Sequence, residues 1–171
     1  MMSEEQPINT HTIAALVDNE AGVLARVIGL FSGRGYNIDS LTVAEVNEDE
    51  HMSRITIVTT ATPQVINQIK AQLQRLVPVH RVVDLTVETD SVERELALVK
   101  VAGKGNDRVE ALRMSEAFRA RVVDATPESF VFEITGNTAK IDAFIGLMVP
   151  LGLQEVSRTG VAAIARGPER M

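Results

Sequence analysis

Between Asp18 and Val43 the chain reads DNEAGVLARVIGLFSGRGYNIDSLTV. Asn19-Glu20-Ala21-Gly22 has turn composition, and Val23, Leu24, Val27, Ile28, Leu30 and Phe31 then recur at helical spacing. The first N–H groups of a helix lack internal partners, and the helix dipole favours an anion beside them. Gly22 has no Cβ, so a carboxylate can approach the backbone closely. Asn19 adds a side-chain amide, and Asn37 follows a Gly-Tyr turn at the entry to the next element. Together these groups suit a small zwitterion such as a free amino acid. The same residues also suit plain local chemistry, with Asn19 capping the helix, Gly22 relieving crowding and Asn37 serving a turn.

Little else in the chain points to chemistry. His11, His51 and His80 are not at metal spacing, and all three read as solvated surface. Glu48, Asp49 and Glu50 form a charge run expected in a turn. Gly103-Lys104-Gly105 lies between a strand pattern and a helix pattern, but Arg108 stands where a dinucleotide fingerprint needs a third glycine. A simple turn is expected there. No G-x-S-x-G elbow and no P-loop is present. There is no cysteine, which removes disulfides, thiolate metal sites and thiol nucleophiles, and suits a reducing cytoplasm.

The elements that must position the first segment alternate strand and helix. Thr12–Val17 is a buried-strand pattern, followed by the helix over Gly22–Gly35, ended by its glycines. Asn37–Val46 and Ser53–Thr60 read as a hairpin around Asn47–His51. Thr62-Pro63 starts a second helix carrying Val65, Ile66, Ile69, Leu73 and Leu76 on one face. Val79–Glu88 reads as a strand with Val79, Val83, Leu85 and Val87 inward and His80, Asp84, Thr86 and Glu88 outward. The order is β-α-β-β-α-β, the ferredoxin-like pattern. After a polar boundary at Thr89–Glu95 the order repeats. Its parts are a strand Leu96–Ala102, a helix Asn106–Phe118, strands Arg121–Ala125 and Phe130–Thr135, a helix Thr138–Val149, and strand segments Leu153–Arg158 and Val161–Ala165.

An α+β protein of two ferredoxin-like domains is therefore expected, with a disordered leader over 1–10, a first domain over 11–89 and a second over 90–171. In such a unit both helices cover one sheet face and leave the other bare. A unit of about 80 residues buries a small core. Apolar residues on a bare face or edge strand favour a second copy, so a homodimer is expected. With 4% aromatic residues and no Trp, the cores must be built from Val, Ile, Leu and Ala. The net charge of −6 argues against phosphate-driven nucleic-acid binding, and Tyr36 with five Phe gives thin stacking capacity. No apolar run approaches the roughly 18 residues that cross a bilayer, and the polar start MMSEEQPINTH is no secretory signal.

The Asp18–Val43 segment closely resembles the N-terminal ACT domain of acetolactate synthase small regulatory subunits, which show NE-x-GVL-x-R and then F-x-x-RG-[YF]-NI-[DE]-SL-x-V. Further matches follow in order: MSRITI from Met52, QLQRLVPVHRVV from Gln72, VERELALVKV from Val92, Thr126-Pro127, KIDAF from Lys140 and SRTGVAAIAR from Ser157. The resemblance covers roughly residues 11–167. It implies ACT domains that dimerise side by side and bind valine, a feedback inhibitor, at their interface. Carried over by position, Asn19, Gly22, Val23 and Leu24 of one copy and Asn37 and Ile38 of the other contact the effector. It also implies a separate large catalytic subunit that makes acetolactate from pyruvate with thiamine diphosphate, Mg and FAD. This chain lacks the GDG…N cofactor signature and is expected to bind none of these and to catalyse nothing alone. Three other readings compete: a stand-alone amino-acid-binding module with another partner, an enzyme in its own right, and a nucleic-acid binder on a ferredoxin-like sheet.

Overall fold

A computed structural model describes residues 7–171; residues 1–6 of the expected leader lie outside the described residues. The chain forms two compact units. One holds the described residues through Val92 together with Val161–Met171, and the other holds Glu93–Gly160.

The first unit runs β1 (Asn9–Asp18), α1 (Val23–Gly33), β2 (Ser40–Asn47), β3 (Met52–Ala61), α2 (Pro63–Gln74) and β4 (Val79–Asp84). Its sheet has the order β2-β3-β1-β4, and every neighbouring pair is antiparallel. This is the split β-α-β arrangement expected from the sequence. β1 starts at Asn9, inside the stretch expected to be leader, and pairs there with Ala61. Ile13, Ala15 and Val17 of β1 pack with Ile55 and Ile57 of β3 beneath Val27, Phe31, Ile66, Ile69 and Leu73 of the helices. These positions alternate along the strands and recur every three or four residues along the helices, so each element puts one apolar stripe into one core. Thr62 caps α2 by accepting from the Val65 N–H, with Pro63 at the first helical position.

Three expectations fail in this unit. The strand expected over Val79–Glu88 ends at Asp84, and its inward face is divided. A bulge between Leu16 and Val17 shifts the register, so Val79 and Val82 meet the helices while Val83 and Leu85 point to the opposite face. Val87 lies beyond the strand and is exposed. His11, expected to be solvated, is buried, with Nδ1 2.7 Å from Oδ2 of buried Asp84. The side chains satisfy one another, and Asp84 Oδ1 also accepts from the Thr86 N–H at 3.0 Å. The face opposite the helices is not bare. Val161 and Ala163 pack there against Ala14, Val58, Val83 and Leu85. The Val161 N–H donates to Ser40 Oγ at 2.8 Å, and Thr42 Oγ1 donates to Val161 O at 3.1 Å. A short strand, β9 (Ala162–Ala165), lies in this segment.

The second unit runs β5 (Ser91–Val101), α3 (Asn106–Ala117), β6 (Arg121–Ala125), β7 (Phe130–Gly136), α4 (Thr138–Met148), a single 3-10 turn Val149–Leu151, and β8 (Leu153–Arg158). Ser91–Glu95, expected as a polar boundary, is the start of β5. The strand order is β6-β7-β5-β8, the same as in the first unit. Its core joins Ala97, Val99 and Val101 to Phe132, Ile134, Ile141, Phe144 and Met148. Phe132 and Phe144 meet edge to face, 6.0 Å between centroids. Glu95 is buried but fully engaged. Arg158 donates from Nε to one oxygen at 2.7 Å and from Nη2 to the other at 2.9 Å, and Thr138 Oγ1 adds a third bond at 2.8 Å.

Candidate effector site

The turn from β1 into α1 is fixed by main-chain bonds. The Asp18 N–H donates to Pro78 O at 2.9 Å, and the Asn19 N–H donates to His51 O at 2.7 Å. Asp18 Oδ1 also lies 2.6 Å from Nε2 of His80. The loop is thus tied to both strand ends beside it. Gly22 sits at φ +87°, in the left-handed region where a side chain is strained, and the space a Cβ would take is open. It is the N-cap of α1, and no side chain bonds to the cap. The capping role open to Asn19 is therefore not used; Asn19 is exposed at the mouth of the turn. The first turn carries no acidic side chain, and the first regular bond runs from the Arg26 N–H to Gly22 O at 3.1 Å. The Val23 N–H donates to Glu20 O at 3.4 Å, so the donors of Gly22, Leu24 and Ala25 and the positive end of the helix dipole are left for an anion.

Val23 and Leu24 divide between core and surface. Val23 is buried against the helix-side core, so only its main chain is presented at the loop. Leu24 is exposed and offers an apolar side chain beside Gly22.

Asn37 and Ile38 lie past the other end of α1, in the connection to β2. Asn37 Nδ2 donates to Asp39 Oδ1 at 2.6 Å, and Asn37 O accepts from Thr59 Oγ1 at 2.6 Å. Asp39 in turn takes Thr60 Oγ1 at 2.7 Å. With its amide nitrogen engaged, Asn37 keeps its carbonyl Oδ1 as an acceptor. Ile38 is half-buried against the helix-side core. The eleven residues of α1 separate the two groups by roughly 16 Å at 1.5 Å per residue. One copy of the chain does not bring Asn19 and Gly22 together with Asn37 and Ile38.

The other candidates have structural roles. A Cβ on Gly103 would fall 2.6 Å from Leu151 O, and Gly105 starts α3 at φ +58°. Both glycines of the Gly-Lys-Gly turn are explained by packing and backbone conformation. His51 is exposed in the β2–β3 turn at φ +50°. Among the described residues there is no cluster of three metal-capable side chains, and no helix is long and apolar enough to cross a membrane. Sequence reasoning missed Arg54. Its signal was a lone arginine within the apolar run of β3.

The comparisons bear on both units. The model of an acetohydroxyacid synthase small subunit-like ACT domain matches residues 13–81, and that of the small subunit of acetolactate synthase matches residues 94–167. An acetolactate synthase small subunit from Mycobacterium bovis is 42% identical, over 93% of this chain and 94% of its own. One from Haemophilus influenzae is 41% identical, over 93% and 97%. The crystal structure of acetolactate synthase small subunit from Thermotoga maritima superposes with a TM-score of 0.83 at 36% identity, over 94% of this chain and 99% of that one. The fold, the two matched segments and the full-length relatives agree: the chain belongs to the family of acetolactate synthase small subunits and is not itself a catalytic chain.

Proposed function

We propose that this chain is the regulatory subunit of an acetolactate synthase in the cytoplasm. It activates a thiamine-diphosphate large subunit that joins two pyruvates into acetolactate and CO2, and it conveys feedback inhibition by valine. FAD and Mg belong to that large subunit in this reading. The effector sits between two copies joined through their ACT units. Main-chain donors at Gly22 and Leu24, with Asn19, hold the carboxylate from one copy, against the main chain of Val23. Asn37 Oδ1 of the second copy accepts from the ammonium, and Leu24 and Ile38 take the isopropyl group.

The observation that carries this reading is the uncapped start of α1 at Gly22, open where a Cβ would stand. The two-copy geometry has separate support. Asn37 lies at the far end of α1, so only another copy can complete the site. β2 is an edge strand and carries exposed Val43 and Val46. An edge of this kind is a template for pairing with a like strand. A two-fold operation then places both contact sets together twice.

Inhibition follows by linkage. Valine shifts the holoenzyme only if it binds one arrangement of the copies better than another. Sedimentation and calorimetry on the isolated chain test the site. The expected result is a dimer that binds valine at equivalent interface sites, with binding lost in Gly22→Asp. A monomer that binds valine equally well contradicts the proposal.

A further inference from the structure

A cavity of about 530 Å³ opens in the first unit, on the sheet face opposite its helices. That volume lies in the range of small-molecule sites. Arg54, Arg81, Val83, Leu85, Ile164 and Met171 line it. Arg54 is the unusual member. It stands within β3, paired in register with Leu16 and Ala44, where its neighbours Ile55 and Ile57 are core. Its Nη2 donates to Ala163 O at 2.8 Å, while its Nε is buried without an acceptor. Among the described residues no carboxylate is paired with it. Burial pulls its pKa below the usual arginine range, the direction expected of a desolvated cation without a counter-charge.

Several other charges on the wall have partners. Glu88 takes Lys70 and the Asp84 N–H, Arg166 pairs with Asp90, and Arg81 donates to Arg170 O. A guanidinium has five donors in a planar fork that matches a carboxylate. Arg54 therefore holds unused donors in a cavity whose lining also includes Val83, Leu85 and Ile164.

We propose that this cavity is a second small-molecule site, distinct from the Gly22 turn, which takes a monocarboxylate with a short aliphatic chain. The carboxylate bonds to Arg54, and the chain lies against Val83, Leu85 and Ile164. On the wall Glu50, Glu88 and Glu169 offset Arg81, Arg166 and Arg170, so Arg54 is the one cation left over, which matches a singly charged ligand. The site depends on the C-terminal segment. Ala163, which holds Nη2 of Arg54, and Ile164 both belong to it, so an occupied cavity and a docked segment stabilise each other.

The test uses the full chain and hexanoate as probe, followed by the Arg54 Nε–H resonance in ¹⁵N–¹H NMR. A saturable shift is expected with hexanoate and none with hexan-1-ol or inorganic phosphate. The shift of cavity methyl groups on hexanoate addition is expected to be lost in Arg54→Gln and kept in Asn19→Ala. No saturable shift in the unmutated chain overturns the proposal without recourse to any variant. So does phosphate binding more tightly than hexanoate, or hexanoate binding that survives Arg54→Gln or fails in Asn19→Ala.

Discussion

The main-chain N–H of Asn19 donates to the carbonyl of His51 at 2.7 Å, tying the β1–α1 turn to the β2–β3 turn. The loop that leads into Gly22 is therefore held by backbone. Replacing the Asn19 side chain leaves this bond intact, so loss of effector binding in Asn19→Ala reports the amide and not a collapsed loop.

Gly22 is at φ +87° with open space around it, so backbone conformation alone penalises a side chain there. Gly22→Ala is expected to destabilise the first unit by about 1–2 kcal/mol, and Gly22→Asn by less, because Asn tolerates the left-handed region. Urea unfolding of the two variants checks the ranking. Equal, negligible effects would mean that the loop adopts another conformation.

Leu85 and Val87 were expected on one inward face, and the structure separates them. Leu85 is buried under Val161 and Ala163, while Val87 is exposed. Leu85→Ala is expected to cost about 3 kcal/mol. Val87→Ala should change stability by less than about 0.5 kcal/mol. Denaturant midpoints of the two variants measure this, and similar midpoints would argue against a second core on that face.

Glu95 is held below the usual carboxylate range, first by the Arg158 guanidinium and then by Thr138, against the opposing effect of burial. A carboxyl whose folded pKa is depressed contributes stability above its unfolded value, and that stability disappears as pH falls through the folded value. The second unit should thus weaken in acid, starting near the ordinary glutamate value of 4.5 and continuing below it. Glu95→Gln is expected to cost about 2 kcal/mol at neutral pH, the scale of hydrogen bonds to charged groups. Thermal unfolding between about pH 3 and pH 7, a range that brackets the ordinary carboxylate value, should show a flatter profile for the variant. A parallel profile would remove Glu95 as the titrating group.

The sequence was most informative where period and turn chemistry agree. The stripe Val23, Val27, Phe31 and the Thr62-Pro63 start both sit as their residue types require. The four-strand order followed from the alternation of element types. What stayed hidden depends on contacts distant in sequence. The bulge at Leu16/Val17 reversed the inward face of β4, and no local pattern records it. His11 is buried because Asp84 lies beside it, 73 positions away in the chain. The covering of the sheet by Val161–Met171 spans an even longer separation, and its short strand reads locally like any edge strand. For the effector site, the turn and glycine were legible, but the distance to Asn37 required the length and direction of α1.

The most direct measurement is a valine titration of holoenzyme reconstituted from the large subunit and this chain. With the unmutated chain, activity should fall saturably, with coupling of about 1–3 kcal/mol between effector and catalysis. Asn19→Ala and Gly22→Asp should still activate the large subunit while moving the midpoint at least about tenfold, or about 1.4 kcal/mol. Undiminished valine inhibition in both variants would contradict a site at the start of α1.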